Sequence, residues 1–167
     1  HPRKGVDDLI TAFKTVGAQV PNAFLYLVGN GPYHDTYKEL ASRTGFENRI
    51  QFCGFQADPR PYLLGSDLFV LASHAEPGAL VLPEAREAGC AIIATSVDGM
   101  PEMLDDGRAG ILVPPRRPDL LADAMIKVLT DKTLLADMRA RARSNLDHFT
   151  VDRASKECIS IYKGLLS

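Results

Sequence analysis

Residues 67–95 read DLFVLASHAEPGALVLPEAREAGCAIIAT. Asp67-Leu68-Phe69-Val70-Leu71 and Ala91-Ile92-Ile93-Ala94-Thr95 are short, near-continuous apolar runs. Strands buried on both faces look like this. Between them Pro77-Gly78 demands a turn. The run that follows, continuing through Ala85-Arg86-Glu87-Ala88, reads as a helix that starts inside the segment. Strand, turn, helix and strand in this order describe a parallel pair with a helical crossover. Glu76 then sits in a loop at the helix N-terminus and Glu84, eight positions on, in the helix's first turns. Pro83 agrees, because proline's missing N–H costs nothing in a first turn.

The alternation extends in both directions. Val6, Leu9, Ile10 and Phe13 have helical spacing. Phe24-Leu25-Tyr26-Leu27-Val28 reads as a strand running into the tight turn Gly29-Asn30-Gly31-Pro32. Residues 35–44 read as a helix, Ile50-Gln51-Phe52-Cys53-Gly54 as a strand, and Ile111-Leu112-Val113 as a short strand ended by Pro114-Pro115. A helix over about 118–130 puts Leu120, Leu121, Ala124, Met125 and Val128 on one face, and two more helices fill roughly 133–147 and 151–166. Pro118 and Asp131 mark boundaries. The fold class is therefore α/β: a Rossmann-like parallel sheet flanked by helices. In such a sheet the ligand crevice lies outside the carboxyl ends of the strands. The turns at 29–32, 54–59, 73–78 and 95–101 fall there.

A chain of 167 residues, 46% hydrophobic and 24% charged, fits one folded domain. Nineteen basic against 21 acidic residues give no pull toward nucleic acid. Cys53, Cys90 and Cys158 lie in apolar sequence and form no C-x-x-C pair, so neither a disulfide frame nor a zinc site is indicated. A reduced, cytoplasmic setting is expected. No apolar run has bilayer-spanning length, and no signal peptide opens the chain. The opening His1-Pro2-Arg3-Lys4-Gly5 looks like the middle of a loop, which points to a piece of a longer protein.

Gly29 and Gly31 let backbone approach a ligand closely. Position 34 is His34, so the third glycine of a nicotinamide fingerprint is missing, and a plain strand-to-helix turn fits equally well. Lys4 puts a cation beside free N–H groups at a helix start, which suits phosphate; a solvated lysine is the plainer account. Glu76 and Glu84 invite comparison with a hydrolase dyad, whose carboxyls lie ~5–9.5 Å apart. On one helix they would lie ~12 Å apart, but the turn leaves the distance open. Each carboxylate can accept hydrogen bonds from hydroxyls of a sugar ring or ribose. A helix cap and a solvent-facing bystander are equally consistent with the spacing. The amides of Gly78, Ala79 and Leu80 can point at an anion.

Nucleotide-loop, hydrolase and zinc-protease motifs are absent, as is any D-x-D. Asp7-Asp8 and Asp105-Asp106 are adjacent pairs whose side chains are expected to diverge. His1, His34, His74 and His148 share no spacing, so no metal site is expected; His74 reads as an exposed loop residue. Arg139, Arg141 and Arg143 read as a solvated helix face.

In order along the chain come Lys4-Gly5, Val28-Gly29-Asn30-Gly31-Pro32, Phe52-Cys53-Gly54-Phe55, Glu76-x7-Glu84, Asp98-Gly99-Met100-Pro101-Glu102 and Gly110-Ile111-Leu112-Val113-Pro114-Pro115. This order resembles the C-terminal, donor-binding domain of glycosyltransferase family 4, retaining enzymes of the GT-B fold. It covers nearly the whole chain. The resemblance implies that residues 1–167 are one half of a GT-B enzyme, without its first strand and N-terminal acceptor domain. It implies a hexosyltransferase that moves a sugar from a nucleotide-diphosphate sugar to a glycan or lipid-linked acceptor, without metal or other cofactor. The enzyme would be cytoplasmic, or peripheral on the inner face of a membrane through the absent domain. The isolated fragment is expected to be inactive.

The resemblance also distributes roles. Lys4 would bind the diphosphate, its partner arginine falling before residue 1. Glu76 would contact the donor sugar and Glu84 the ribose. Backbone at Gly78, Ala79, Leu80 and Val81 would face the diphosphate and sugar. Phe55 and Gln56 would lie beside the nucleobase, and Gly29 and Gly31 would floor the crevice. Retention is ascribed in the family to front-face attack, so Glu76 is not assigned as nucleophile. Two departures stand out. Pro77-Gly78-Ala79 replaces a sequence that usually carries an aromatic, and Asp98-Gly99 replaces a pair of glycines. Asp98 is therefore expected to point away from the anionic site. These departures keep a non-catalytic nucleotide-binding or assembly domain open as an alternative, with a nucleotide-sugar epimerase as a third reading. The last helix commonly packs on the N-terminal domain in the family, so Ala154, Cys158, Ile161 and Leu165 are expected to form an uncovered face.

Overall fold

The computed structural model describes residues 2–165. Its helices are α1 (Val6–Gln19), α2 (His34–Ser42), α3 (Arg60–Leu64), α4 (Val81–Ala88), α5 (Met100–Met103), α6 (Pro118–Thr130), α7 (Lys132–Ala142) and α8 (Val151–Leu165). Its strands are β1 (Leu25–Val28), β2 (Ile50–Gly54), β3 (Leu68–Leu71), β4 (Ala91–Thr95) and β5 (Ile111–Val113). All the strand pairings are parallel. The strands and long helices stand where the apolar periodicities place them. The short α3 and α5 were not anticipated; Pro61 and Pro101 sit in their first turns. The helix expected over 133–147 stops at Ala142 and is followed by left-handed Asn145.

The single sheet expected from the sequence is two. β1 pairs with β2, and β3-β4-β5 form the other ladder; among the described residues nothing joins them. Apolar runs identify strands but do not specify which neighbours meet. β4 is the centre of the larger ladder, and all five of its residues are buried. Alternation sends Ala91 and Ile93 into a core with Leu9, Ile10, Phe13 and Val16 of α1 and Leu121, Met125 and Val128 of α6. Ile92 and Ala94 enter a second core with Leu82 and Ala85 of α4 and Met100 of α5. Burial of each isoleucine contributes about 1.5–3 kcal/mol. The two cores cover both faces of β4, as its unbroken apolar run requires.

Arg86 of α4 is wholly buried, which the sequence did not signal. It donates to the carbonyls of Ala142 (3.0 Å), Met103 (2.7 Å) and Ser144 (2.6 Å) and pairs with Asp105 at 2.9 Å. Its guanidinium also lies 5.0 Å from the centre of the Phe149 ring. One side chain thus ties α4 to the ends of α5 and α7. The arginine run on α7 is not an idle solvated face. Arg139 donates to the Gly89 carbonyl at 3.0 Å and Arg143 to the Ala88 carbonyl at 3.2 Å. These are carbonyls at the end of α4, where helical partners run out and cations are favoured. Arg141 reaches the Arg108 carbonyl and Asp137. Asp131 caps α7 by accepting from Thr133 N at 3.0 Å and Leu134 N at 2.9 Å.

The three cysteines are free, but their surroundings differ from the uniformly apolar ones expected: Cys90 is buried, Cys53 half-buried and Cys158 exposed. Burial pushes the Cys90 thiol above its ordinary range. α8 buries no residue, and Ala154, Cys158, Ile161 and Leu165 are all exposed, as expected. None of the described helices is long and apolar enough to cross a membrane.

Candidate functional site

The turns after β1, β2 and β3 lie at the carboxyl ends of parallel strands and carry every candidate residue except Lys4, which precedes α1, and Val81 and Glu84, which are on α4. Glu76 stands five residues beyond β3 and is 5% exposed. Its carboxylate pairs with the Lys4 ammonium and accepts from Ser73 Oγ at 3.2 Å. Its backbone N–H donates to Asp98 Oδ2 at 2.5 Å. Thr95, at the end of β4, donates its hydroxyl to the Ser73 carbonyl at 2.5 Å. Ser73 and Thr95 escaped the sequence reading; their one signal was position at a strand end. The expectation that Asp98 points away is wrong. Asp98 is exposed, but its carboxylate turns to the Glu76 amide in the neighbouring loop, which needs an acceptor.

Lys4 reaches Glu76 because the chain entering α1 lies on the end of β3. The Arg3 carbonyl accepts from His74 N at 2.6 Å. Gly5 is left-handed (φ 59°), and a Cβ there would stand 1.9 Å from the Ala72 carbonyl oxygen. Gly5→Ala therefore meets backbone as well as the left-handed penalty of about 1–2 kcal/mol. We expect it to lower Tm by several degrees, about 2–4 °C per kcal/mol. An unchanged Tm in a thermal melt would contradict this packing.

Two clefts hold further candidate residues. One, of about 300 Å³, is lined by Lys4, Gly29 and Gly31 with Tyr26, His34 and Tyr37 among others. The other, of about 560 Å³, lies between Glu84 and the loop after β2, where Asp58 and Arg60 stand. The Arg60 guanidinium grips Asp58 through two 2.7 Å bonds and holds its carboxyl below the usual range. Glu84 is exposed on α4, and neither cleft includes Glu76. Of the two glutamates, only Glu84 lines either of these clefts. Phe55 is exposed, whereas the Gln56 amide turns back to the Cys53 carbonyl at 2.7 Å.

The stretch expected to face phosphate divides in two. Gly78 is open, with no atom within 4 Å of a Cβ position, and the Gly78 and Ala79 amides have no partner among the described residues. The Leu80 amide, however, is taken by the Gly78 carbonyl at 3.1 Å, a bond closed by the tight turn. Val81 opens α4. His74 is not a free loop residue either: its Nε2 lies 2.7 Å from Asp8 Oδ2. Asp7 and Asp8 do not diverge; with His74 they bring one ligand atom each within 4.8 Å of one another. The first turn of α1 lies against the loop after β3, which turns both carboxylates to the same histidine.

The family description "Glycosyl transferases group 1" matches residues 1–145. N-acetyl-alpha-D-glucosaminyl L-malate synthase of Bacillus anthracis is 34% identical over 164 residues, 98% of this chain and 43% of that protein. Anabaena Alr3699/HepE, crystallised in complex with UDP, superposes with a TM-score of 0.86 at 27% identity, over 98% of this chain and 46% of that one. The C-terminal domain of a glycosyl transferase group 1 family protein (LpcC) from Francisella tularensis gives 0.78 at 28% identity, over 89% of this chain and 80% of that one. The chain spans less than half the length of the curated relatives it matches. Its α/β architecture is that of GT-B glycosyltransferases, of which it forms a part. By sequence over most of its length, the chain belongs to the group 1 glycosyl transferases.

Proposed function

We propose that this chain is the C-terminal, donor-binding half of a retaining family 4 hexosyltransferase that takes a nucleotide-diphosphate sugar. The observation that carries the reading is the Lys4–Glu76 pair at the carboxyl ends of the strands. A cation for a diphosphate and a carboxylate for sugar hydroxyls meet there, beside open Gly78 and the Gly78 and Ala79 amides, which have no partner among the described residues. The UDP complex of Anabaena HepE supports a nucleotide donor.

In this reading Lys4 and the loop amides stabilise the charge growing on the departing nucleoside diphosphate. Glu76 orients the sugar by its hydroxyls, Glu84 holds the ribose, and Phe55 and the Gln56 backbone flank the base. The side chains that touch the leaving group and sugar need no metal. The acceptor, glycan or lipid-linked, and any peripheral membrane attachment belong to the upstream half. We also place between β1 and β3 the donor-binding half's own first strand, the one that precedes α1. In the doubly wound order the strand before α1 occupies that position, and the entry to α1 already lies against the end of β3.

Calorimetric titration of the full-length protein with UDP, GDP and ADP tests the reading. One of them is expected to bind, and Glu84→Ala to weaken it about tenfold, roughly one charge-assisted hydrogen bond. No binding of any of the three would sink the proposal. Binding without transfer to any acceptor would favour the assembly alternative.

A further inference from the structure

We propose that Asp98 is a positioning residue for Glu76. This rests on the reading that Glu76 orients the donor sugar. Asp98 follows β4 in the left-handed region, at φ 47°. Such a conformation costs a non-glycine residue about 1–2 kcal/mol, and aspartate is among the few that visit it. The conformation brings Oδ2 to 2.5 Å from the Glu76 amide. A carboxylate accepting from a backbone N–H makes one of the stronger hydrogen bonds in a protein.

The rest of the loop shows why that bond matters. Thr95 holds the Ser73 carbonyl, three residues before Glu76. Asp98 holds the Glu76 amide itself. Both restraints come from the end of β4, the strand paired with β3. Beyond Glu76 the chain passes into Pro77-Gly78, where no packed neighbour surrounds Gly78. Asp98 is therefore the last fixed contact on the main chain before the open turn. Without it the Glu76 amide loses its partner, and the carboxylate, still paired with Lys4 and Ser73, is aimed less tightly at the sugar while keeping its charge. Asp98 itself does not touch the donor in this arrangement. Its contribution is made through Glu76.

Three variants of the full-length protein separate the bond from the backbone. Asp98→Asn keeps an acceptor and tolerates the left-handed conformation. Asp98→Gly tolerates the conformation and removes the acceptor. Asp98→Ala removes the acceptor and adds strain. We expect Asp98→Asn to retain kcat within about threefold, and Asp98→Gly and Asp98→Ala to lose roughly 10- to 100-fold with donor KM little changed, as for a misaligned catalytic group. Hydrogen exchange of the peptide covering residues 73–80 is expected to quicken in Asp98→Gly and not in Asp98→Asn. Wild-type turnover in Asp98→Gly, or equal losses in Asp98→Asn and Asp98→Gly, would overturn the proposal. If the full-length protein transfers no sugar at all, the functional reading fails, and the exchange comparison still decides whether Asp98 holds the loop: protection in Asp98→Gly equal to wild type would reject it.

Discussion

Glu76→Gln in the full-length protein is expected to lower sugar transfer by about 10²-fold or more, equivalent to ~2.7 kcal/mol of transition-state stabilisation. Glutamine keeps the length and one acceptor oxygen but removes the charge that meets Lys4. Three consequences follow. Sugar hydroxyls lose a charged acceptor, whose hydrogen bonds are about twice as strong as neutral ones. The Lys4 ammonium loses its fixed partner at the site of the leaving diphosphate. Ser73 loses a carboxylate to donate to. Folding should be affected little, because Lys4 is 41% exposed and water screens the pair. The expected signature is a fall in kcat with Tm within a few degrees of wild type. Steady-state kinetics beside a thermal melt give both numbers. A loss below about fivefold would remove Glu76 from the reaction and with it the role assigned to Asp98.

The largest effect on stability is expected at Arg86. Its guanidinium is fully buried and meets three carbonyls and the Asp105 carboxylate, itself only 9% exposed. Arg86→Met fits the volume but leaves the carboxylate unpaired and the three carbonyls without this donor. Removing one partner of a buried pair costs about 3–5 kcal/mol. For a chain of this size that lowers Tm by roughly 6–20 °C. Arg86→Lys should recover only part, since an ammonium lacks the planar fork that reaches several acceptors at once. In the double variant Arg86→Met with Asp105→Asn the uncompensated charge is gone, so the two losses should not add. Thermal or urea unfolding of wild type, Arg86→Met, Asp105→Asn and the double variant completes the cycle. A Tm within 3 °C of wild type for Arg86→Met would show that water or the surrounding loops already satisfy these groups. The site is exposed to the same change, because Arg86 and Glu84 share α4.

Arg86 also marks where sequence reading stops. It occupies a helical position beside Ala85 and Glu87, and its local pattern is that of any surface arginine. Its burial follows from where the ends of α5 and α7 meet α4, more than fifty residues away in the case of Ala142 and Ser144. Arg139 and Arg143 misled for the same reason. Their partners are the last carbonyls of α4, groups with no signature of their own in the sequence. The direction of the Asp98 carboxylate follows from the Glu76 amide, 22 residues away and equally without a signature in the sequence.

The local periodicities were enough for the strands at 50–54, 91–95 and 111–113, for the crossover helix after Pro77-Gly78, and for the α/β class. The order of short motifs was enough to single out Lys4, Glu76 and Glu84. Those features rest on residues a few positions apart, where alternation and turn chemistry act directly. Only the tertiary structure decided that the strands form two ladders, that Glu84 lines a cleft that does not include Glu76, and that Lys4, Asp98 and Thr95 meet on the Glu76 loop, Lys4 at its carboxylate, Asp98 at its amide and Thr95 at the Ser73 carbonyl. These depend on contacts between segments 22 to 72 residues apart. The energy of such contacts lies in which unpaired donor finds which acceptor, and that is settled when the strands align and their loops meet at one edge.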